Sequence, residues 1–161
     1  MKQVSETVAA SGWDVTVAVC GQHMHGGRFH YQLEDLHAEY LRKARTAASY
    51  RLFALPTDPV KPGLLRDGGA TGGLDSEGPL CGFFAARPNS VVVELYGMSF
   101  EAFGRLVSMV PAPLGFGTVE LEDGSEVKGF LVEAAAVFCE RGLRAGVADI
   151  TAEGTFAGYL G

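Results

Sequence analysis

All four histidines of the chain, His23, His25, His30 and His37, fall within one fifteen-residue window just after an apolar run that ends at Cys20. Imidazole titrates near pH 6.5, so a modest environmental shift turns any of them into a proton donor or acceptor at working pH. His23 is the candidate acid or base, in the loop Gly21-Gln22-His23-Met24-His25-Gly26-Gly27. A loop histidine held only by structural hydrogen bonds has the same signature. On an extended segment His23 and His25 would face one side and, with a carboxylate, supply metal ligands. No HExxH or CxxC accompanies them, and no metal ligand set is assigned.

Glu94 is the second candidate, standing inside the β-branched run Ser90 to Tyr96 (SVVVELY). A carboxylate there is expensive to bury unless it is paired, protonated or functional. Facing inward, its pKa is expected to rise into the range useful for proton transfer; strand alternation equally allows it to face solvent. Gly21, beside a strand end, lets backbone N–H groups approach a ligand, and such donors cradle carboxylates. No GxGxxG follows the first strand, and GxxxxGK[ST] and GxSxG are absent, which removes three large enzyme classes. Cys20, Cys81 and Cys139 are widely spaced, and burial as small reduced thiols is favoured over catalysis.

The elements that position these residues follow from periodicity. Asp14 to Cys20 alternates as a strand. Tyr31 to Arg45 has helical spacing at Leu33, Leu36, Tyr40 and Leu41, with acids early and bases late, as the helix dipole prefers. Thr46 to Leu55 reads as a strand, and Lys61-Pro62-Gly63 as loop or strand edge. Ser99 caps a helix to about Met109 with Phe100, Phe103, Leu106 and Val107 as its apolar face. Phe116 to Glu122 and Glu126 to Val132 flank Asp123-Gly124 as a hairpin. Glu133 to Gly142 reads as helix. Strands and helices intermix around an antiparallel hairpin, so the fold class is α+β or a mixed barrel.

The 161 residues, 47% hydrophobic and 20% charged, suit a single domain spanning 1–161 that needs no disulfide. Lys and Arg number 13 against 19 Asp and Glu, and the net charge of -6 argues against nucleic-acid or anionic-membrane partners. No run approaches about 20 apolar residues and no signal peptide is evident, so a cytoplasmic protein is expected.

The segments CGQHMHG, ASYRLFAL, KPGLLR, VELYGMSFEAFGRLVSMVPAPLGFGTVELEDGSEVKGFLVEA and ADITAEGTFAGYL together resemble the C-terminal domain of allophanate hydrolases, from about Asp14 to Leu160. A Gly-rich stretch at about 68–88 looks like an insertion relative to that family. The resemblance implies a γ-glutamyl cyclotransferase-like fold, a small mixed β-barrel with flanking helices. In that superfamily a Tyr-Gly-Ser-type motif holds the substrate carboxylate and a later Glu is acid or base. Here Gly21 and Gln22 match the Gly-Ser part, Cys20 replaces the tyrosine, and Glu94 matches the Glu. His23 matches the histidine of the family's GxHxxG loop.

The implied chemistry is decarboxylation of N-carboxycarbamate or a related small carboxylated nitrogen compound, with a protonated His23 as donor to the nitrogen leaving group. The catalytic pair is then His23 and Glu94, and the substrate-binding set is Gly21, Gln22, Met24, Lys61, Tyr96 and Lys128, with no cofactor. γ-Glutamyl cyclotransfer and a non-catalytic role as partner of a separate amidase are the alternatives, and a homodimer is expected. An amidase domain with its Ser-Ser-Lys triad would not fit in this length, so allophanate hydrolysis by this chain alone is not expected.

Overall fold

A computed structural model of the chain describes residues 12–67 and 88–160. Valines alternate into β1 (Val15–Val19), which enters the turns that carry His23 and then a short α1 (His30–Asp35). β2 (Glu39–Arg45), β3 (Tyr50–Leu55), β4 (Lys61–Arg66) and β5 (Val92–Met98) follow. α2 (Phe100–Met109) is capped by Ser99, whose hydroxyl accepts the Ala102 N–H at 3.1 Å. β6 (Leu114–Glu120) and β7 (Glu126–Val132) form the expected hairpin, with Gly124 at φ +82° in its turn. The chain ends in α3 (Ala134–Val137), β8 (Phe138–Cys139), β9 (Gly142–Leu143), β10 (Ala148–Asp149), a 3-10 turn and α4 (Phe156–Leu160).

Five strands form a mixed sheet in the order β2-β5-β1-β7-β6, and β10, β3 and β4 form a second sheet. β1 runs parallel to β7 and antiparallel to β5, with Val19 opposite Glu94 and Val17 opposite Tyr96. The two edge strands of the larger sheet are pinned together just past their ends. Thr46 bridges Leu121, the Ala47 N–H donates to Glu120 O at 2.9 Å and the Glu122 N–H to Arg45 O at 3.0 Å. The sheet is thereby curled, which is the form the expected mixed barrel takes here. Inside the curl, Ala18, Val93, Leu95 and Val119 pack on Leu52 and Leu64 of the smaller sheet. Outside it, Val17, Val19, Met98 and Phe130 are covered by Leu33 of α1 and by Ala102 and Leu106 of α2. Each such buried aliphatic side chain contributes about 1.5–3 kcal/mol over its exposed state.

Several expectations are corrected. The helix over Tyr31 to Arg45 stops at Asp35, because His37 turns the chain at φ +55° and residues from Glu39 onward pair with β5. Its late charges decorate an exposed edge strand, where they discourage further pairing, and so imitate an amphipathic helix. The strand over Thr46 to Leu55 is confined to β3, all six residues of which are buried. The helix over Glu133 to Gly142 is one turn, since Phe138 is extended and packs edge-on to Phe53 at 5.8 Å. On α2, Phe100 and Val107 are exposed, and Ala102 and Leu106 carry the buried face. Cys20 is buried as expected, but Cys139 is exposed. Cys81, and all of the Gly-rich stretch except Pro88, lie outside the described residues.

Candidate active site

β1 delivers the chain into tight turns rather than an extended segment. The Met24 N–H donates to Gly21 O at 2.9 Å, the Gly27 N–H to Met24 O at 2.8 Å, and the Phe29 N–H to Gln22 O at 2.9 Å. The Gln22 side chain braces this loop, donating to Val60 O at 3.0 Å and accepting the Arg28 N–H at 3.2 Å. Gly21 is required by close packing, since a Cβ there would lie 2.2 Å from Pro62 Cγ. His23 and His25 consequently point to different surroundings, which corrects the same-side arrangement that a metal pair needs. Among the described residues no group of three His, Cys, Asp or Glu converges on a metal position.

His23 stacks on Phe130, with ring centroids 4.9 Å apart, and its Nε2 lies 2.8 Å from Gln32 Oε1. An amide oxygen only accepts, so Nε2 carries the proton and Nδ1 keeps its lone pair. The ring borders a cavity of about 230 Å³ together with Gly21, Gln22, Gln32, Lys61 and the apolar side of Phe29. Lys61 extends over Phe29, its Nζ 5.5 Å from the ring centroid. The amides of Gln22 and His23 donate to no other group among the described residues. Burial lowers the His23 pKa below its ordinary 6.5, aided by the nearby Lys61 and His30, while the Gln32 bond opposes the shift. The resting ring is therefore neutral near pH 7, and a proton must be taken up before it can act as the expected donor.

Glu94 turns inward, to the outer sheet face it shares with Val19, and its side chain is 7% exposed. Its Oε2 accepts from the His25 N–H at 2.9 Å and the Tyr96 hydroxyl at 2.8 Å, and lies 3.1 Å from His25 Nδ1. Burial raises its pKa, but these bonds together outweigh burial and hold the carboxyl below its ordinary 4.5, so the expected rise is corrected. Glu94 and Tyr96 do not line the His23 cavity. They belong to a neighbouring cluster in which His25 packs 4.5 Å from His30 and edge-on to Tyr40 at 5.0 Å. A cyclotransferase role would need this carboxyl to face the substrate.

The other expected residues divide. Gly21, Gln22 and Lys61 meet His23 at the cavity. Met24 packs into the apolar cluster beneath the helices. Lys128 is exposed on the same face of β7 as Phe130, donates to Thr118 Oγ1 at 3.1 Å and does not line the cavity. Sequence reasoning missed Gln32, Phe29, Pro62 and Phe130. Their types carry no chemical signal, and only Gln32, a polar residue next to the buried Leu33, was distinguishable in the pattern.

A curled mixed sheet with outer helices makes this an α+β fold. A mouse AIG2-like protein shares this fold at TM-score 0.51 and 16% identity, over 79% of this chain and 80% of that one. The sequence profile of the allophanate hydrolase C-terminal domain matches residues 15–161, and the chain belongs to that family. It is 40% identical over 149 residues to the urea amidolyase of Saccharomyces cerevisiae, covering 91% of this chain but only 7% of that protein. Kluyveromyces lactis allophanate hydrolase superposes at TM-score 0.74 with 34% identity, covering 91% of this chain and 21% of that one. A uropathogenic E. coli-specific protein matches at TM-score 0.70 and 27% identity, over 91% of this chain and 94% of its own. No helix among the described residues is long and apolar enough to cross a membrane.

Proposed function

We propose that this chain serves urea and allophanate breakdown in the cytoplasm by decarboxylating N-carboxycarbamate at the His23 cavity. The observation that carries the reading is the convergence of His23, Gln32 and the Lys61 ammonium on one open-mouthed cavity beside loop amides that have no partner among the described residues, within a domain of this family. Lys61 and the Gln22 and His23 amides receive the two carboxylates. The negative charge of the bound substrate offsets the burial that keeps His23 neutral, so the ring takes up a proton at Nδ1 on binding. That proton passes to the substrate nitrogen as the C–N bond breaks, its electron pair remaining on nitrogen, to give carbamate and CO2. The apolar walls from Phe29 and Phe130 exclude water and strengthen both interactions.

The test supplies N-carboxycarbamate in situ from an amidase that lacks this domain and follows CO2 release. Wild type is expected to accelerate release and His23→Ala to return it to the background rate; equal rates with and without wild type would sink the reading.

A second reading, association with a separate amidase, is favoured by relatives in which the domain is 7% or 21% of a much longer chain. Co-elution with an allophanate amidase supports it, and separate elution at micromolar concentrations counts against it. Light scattering on the chain alone decides whether it is also the expected homodimer.

A further inference from the structure

We propose that Glu94 is a positioning residue, a clamp on the backbone of the His23 loop, and not the acid or base of the reaction. Between β1 and α1 the chain makes successive turns closed by bonds within the loop itself, and side chains tie those turns to the surrounding elements. Two of them do so from opposite directions. Glu94 Oε2 accepts the His25 N–H at 2.9 Å, two residues beyond His23. His30 Nδ1 lies 2.9 Å from the His23 carbonyl oxygen, and because that oxygen only accepts, the ring nitrogen donates. The peptide groups on both sides of Met24 are thus tied, one to β5 and one to α1.

The carboxylate is itself fixed. Tyr96, on the same face of β5, donates its hydroxyl to Oε2 at 2.8 Å, and Tyr96 is buried against Tyr40, their rings 5.6 Å apart. Strand register completes the arrangement: Glu94 lies opposite Val19, so the acceptor sits beside the end of the strand from which the loop departs. A group engaged in this way and absent from the cavity wall has no route to a substrate proton. What it supplies is an oxygen at a fixed place. A glutamine supplies the same oxygen without the charge, whereas an aspartate keeps the charge and withdraws the oxygen by one methylene.

The two roles therefore predict opposite rankings. Under the clamp, Glu94→Gln keeps kcat/KM for CO2 release within about threefold of wild type and leaves the acid side of its pH profile in place. Glu94→Asp falls by about 100-fold, the loss that goes with displacing a reacting group by roughly an ångström. If the carboxylate transfers protons, Glu94→Asp outperforms Glu94→Gln, and that ranking overturns the proposal. The kinetic readout rests on the decarboxylase reading, so a second one is independent of it. His23 is titrated by its ring proton resonances in each full-length variant. The midpoint is expected to stay below 6.5 in Glu94→Gln and to rise toward 6.5 in Glu94→Asp as the loop loosens and the ring hydrates. An unmoved midpoint in Glu94→Asp overturns the clamp; a wild-type protein that releases no CO2 removes the decarboxylase reading and leaves this measurement standing.

Discussion

His23 Nε2 lies 2.8 Å from Gln32 Oε1, and this single contact sets which nitrogen of the ring is free to exchange a proton with a ligand. It also opposes the lowering of the ring pKa by burial. Gln32→Met removes the acceptor at similar volume, so the His23 pKa falls further and less imidazolium forms at a given pH. We expect kcat/KM for CO2 release at pH 7 to drop about 10-fold, the scale of one hydrogen bond. The alkaline limb, where the imidazolium is lost, should move to lower pH, and a pH–rate profile of the variant checks both.

Lys61 and Lys128 were equivalent in sequence, each within two residues of a glycine, and only Lys61 reaches the cavity. Lys61→Met is expected to raise KM about 10- to 100-fold with a smaller change in kcat, since a charge-assisted bond to carboxylate contributes to binding before the transition state. Lys128→Met should leave both constants within about twofold. Steady-state kinetics of the two variants side by side decides it.

Acid should destabilise the fold in two stages. The folded His23 pKa lies below the unfolded 6.5, so below that pH the unfolded chain binds more protons and stability declines until the folded ring is also protonated. The folded Glu94 pKa lies below the unfolded 4.5; the stability it contributes is present above 4.5 and is lost as pH falls through the folded value. Urea midpoints measured from pH 8 to pH 3 should show both declines. His23→Gln is expected to flatten the upper one and Glu94→Gln to reduce the lower one, to which Asp123 also contributes.

Gly21 and Pro62 are in contact across the root of the loop, and a Cβ on residue 21 would sit 2.2 Å from Pro62 Cγ and 2.5 Å from Cδ. Gly21→Ala should cost about 1–3 kcal/mol through overpacking. Adding Pro62→Ala should recover part of that cost, so a double-mutant cycle by denaturant unfolding is expected to give a favourable coupling. Simple additivity would show that the strain lies elsewhere.

The thiols should separate by reactivity. Burial pushes the Cys20 thiol up to about 12, so it stays protonated and inert, whereas Cys139 is exposed. In a Cys81→Ser background, iodoacetamide at pH 8 is expected to modify Cys139 in the native protein and Cys20 only after denaturation, as peptide mass spectrometry will show.

Much of the scaffold was readable locally. β1, the α2 cap at Ser99 and the β6–β7 hairpin at Asp123-Gly124 depend on period-2 alternation, a hydroxyl before an apolar run and a positive-φ glycine, all signals contained within a few residues. β2 and the α3 segment were not readable, because an exposed edge strand bearing charges every few residues and an alanine run both score as helix until a partner is known. β5, as β2's neighbour, and Phe53, as Phe138's, decide those cases from a distance in sequence.

The sequence by itself determined the chemical inventory: a histidine loop after a strand, a carboxylate inside an apolar run, and the motifs of the allophanate hydrolase C-terminal domain family. Tertiary structure alone decided how that inventory is divided. Residue type states what a group can do, but burial and hydrogen bonds gathered from β5, α1 and β7 decide what it does. Burial holds His23 neutral at a cavity with Lys61, the Gln32 bond selects its free nitrogen, and the bonds Glu94 accepts turn it away from that cavity to hold the loop.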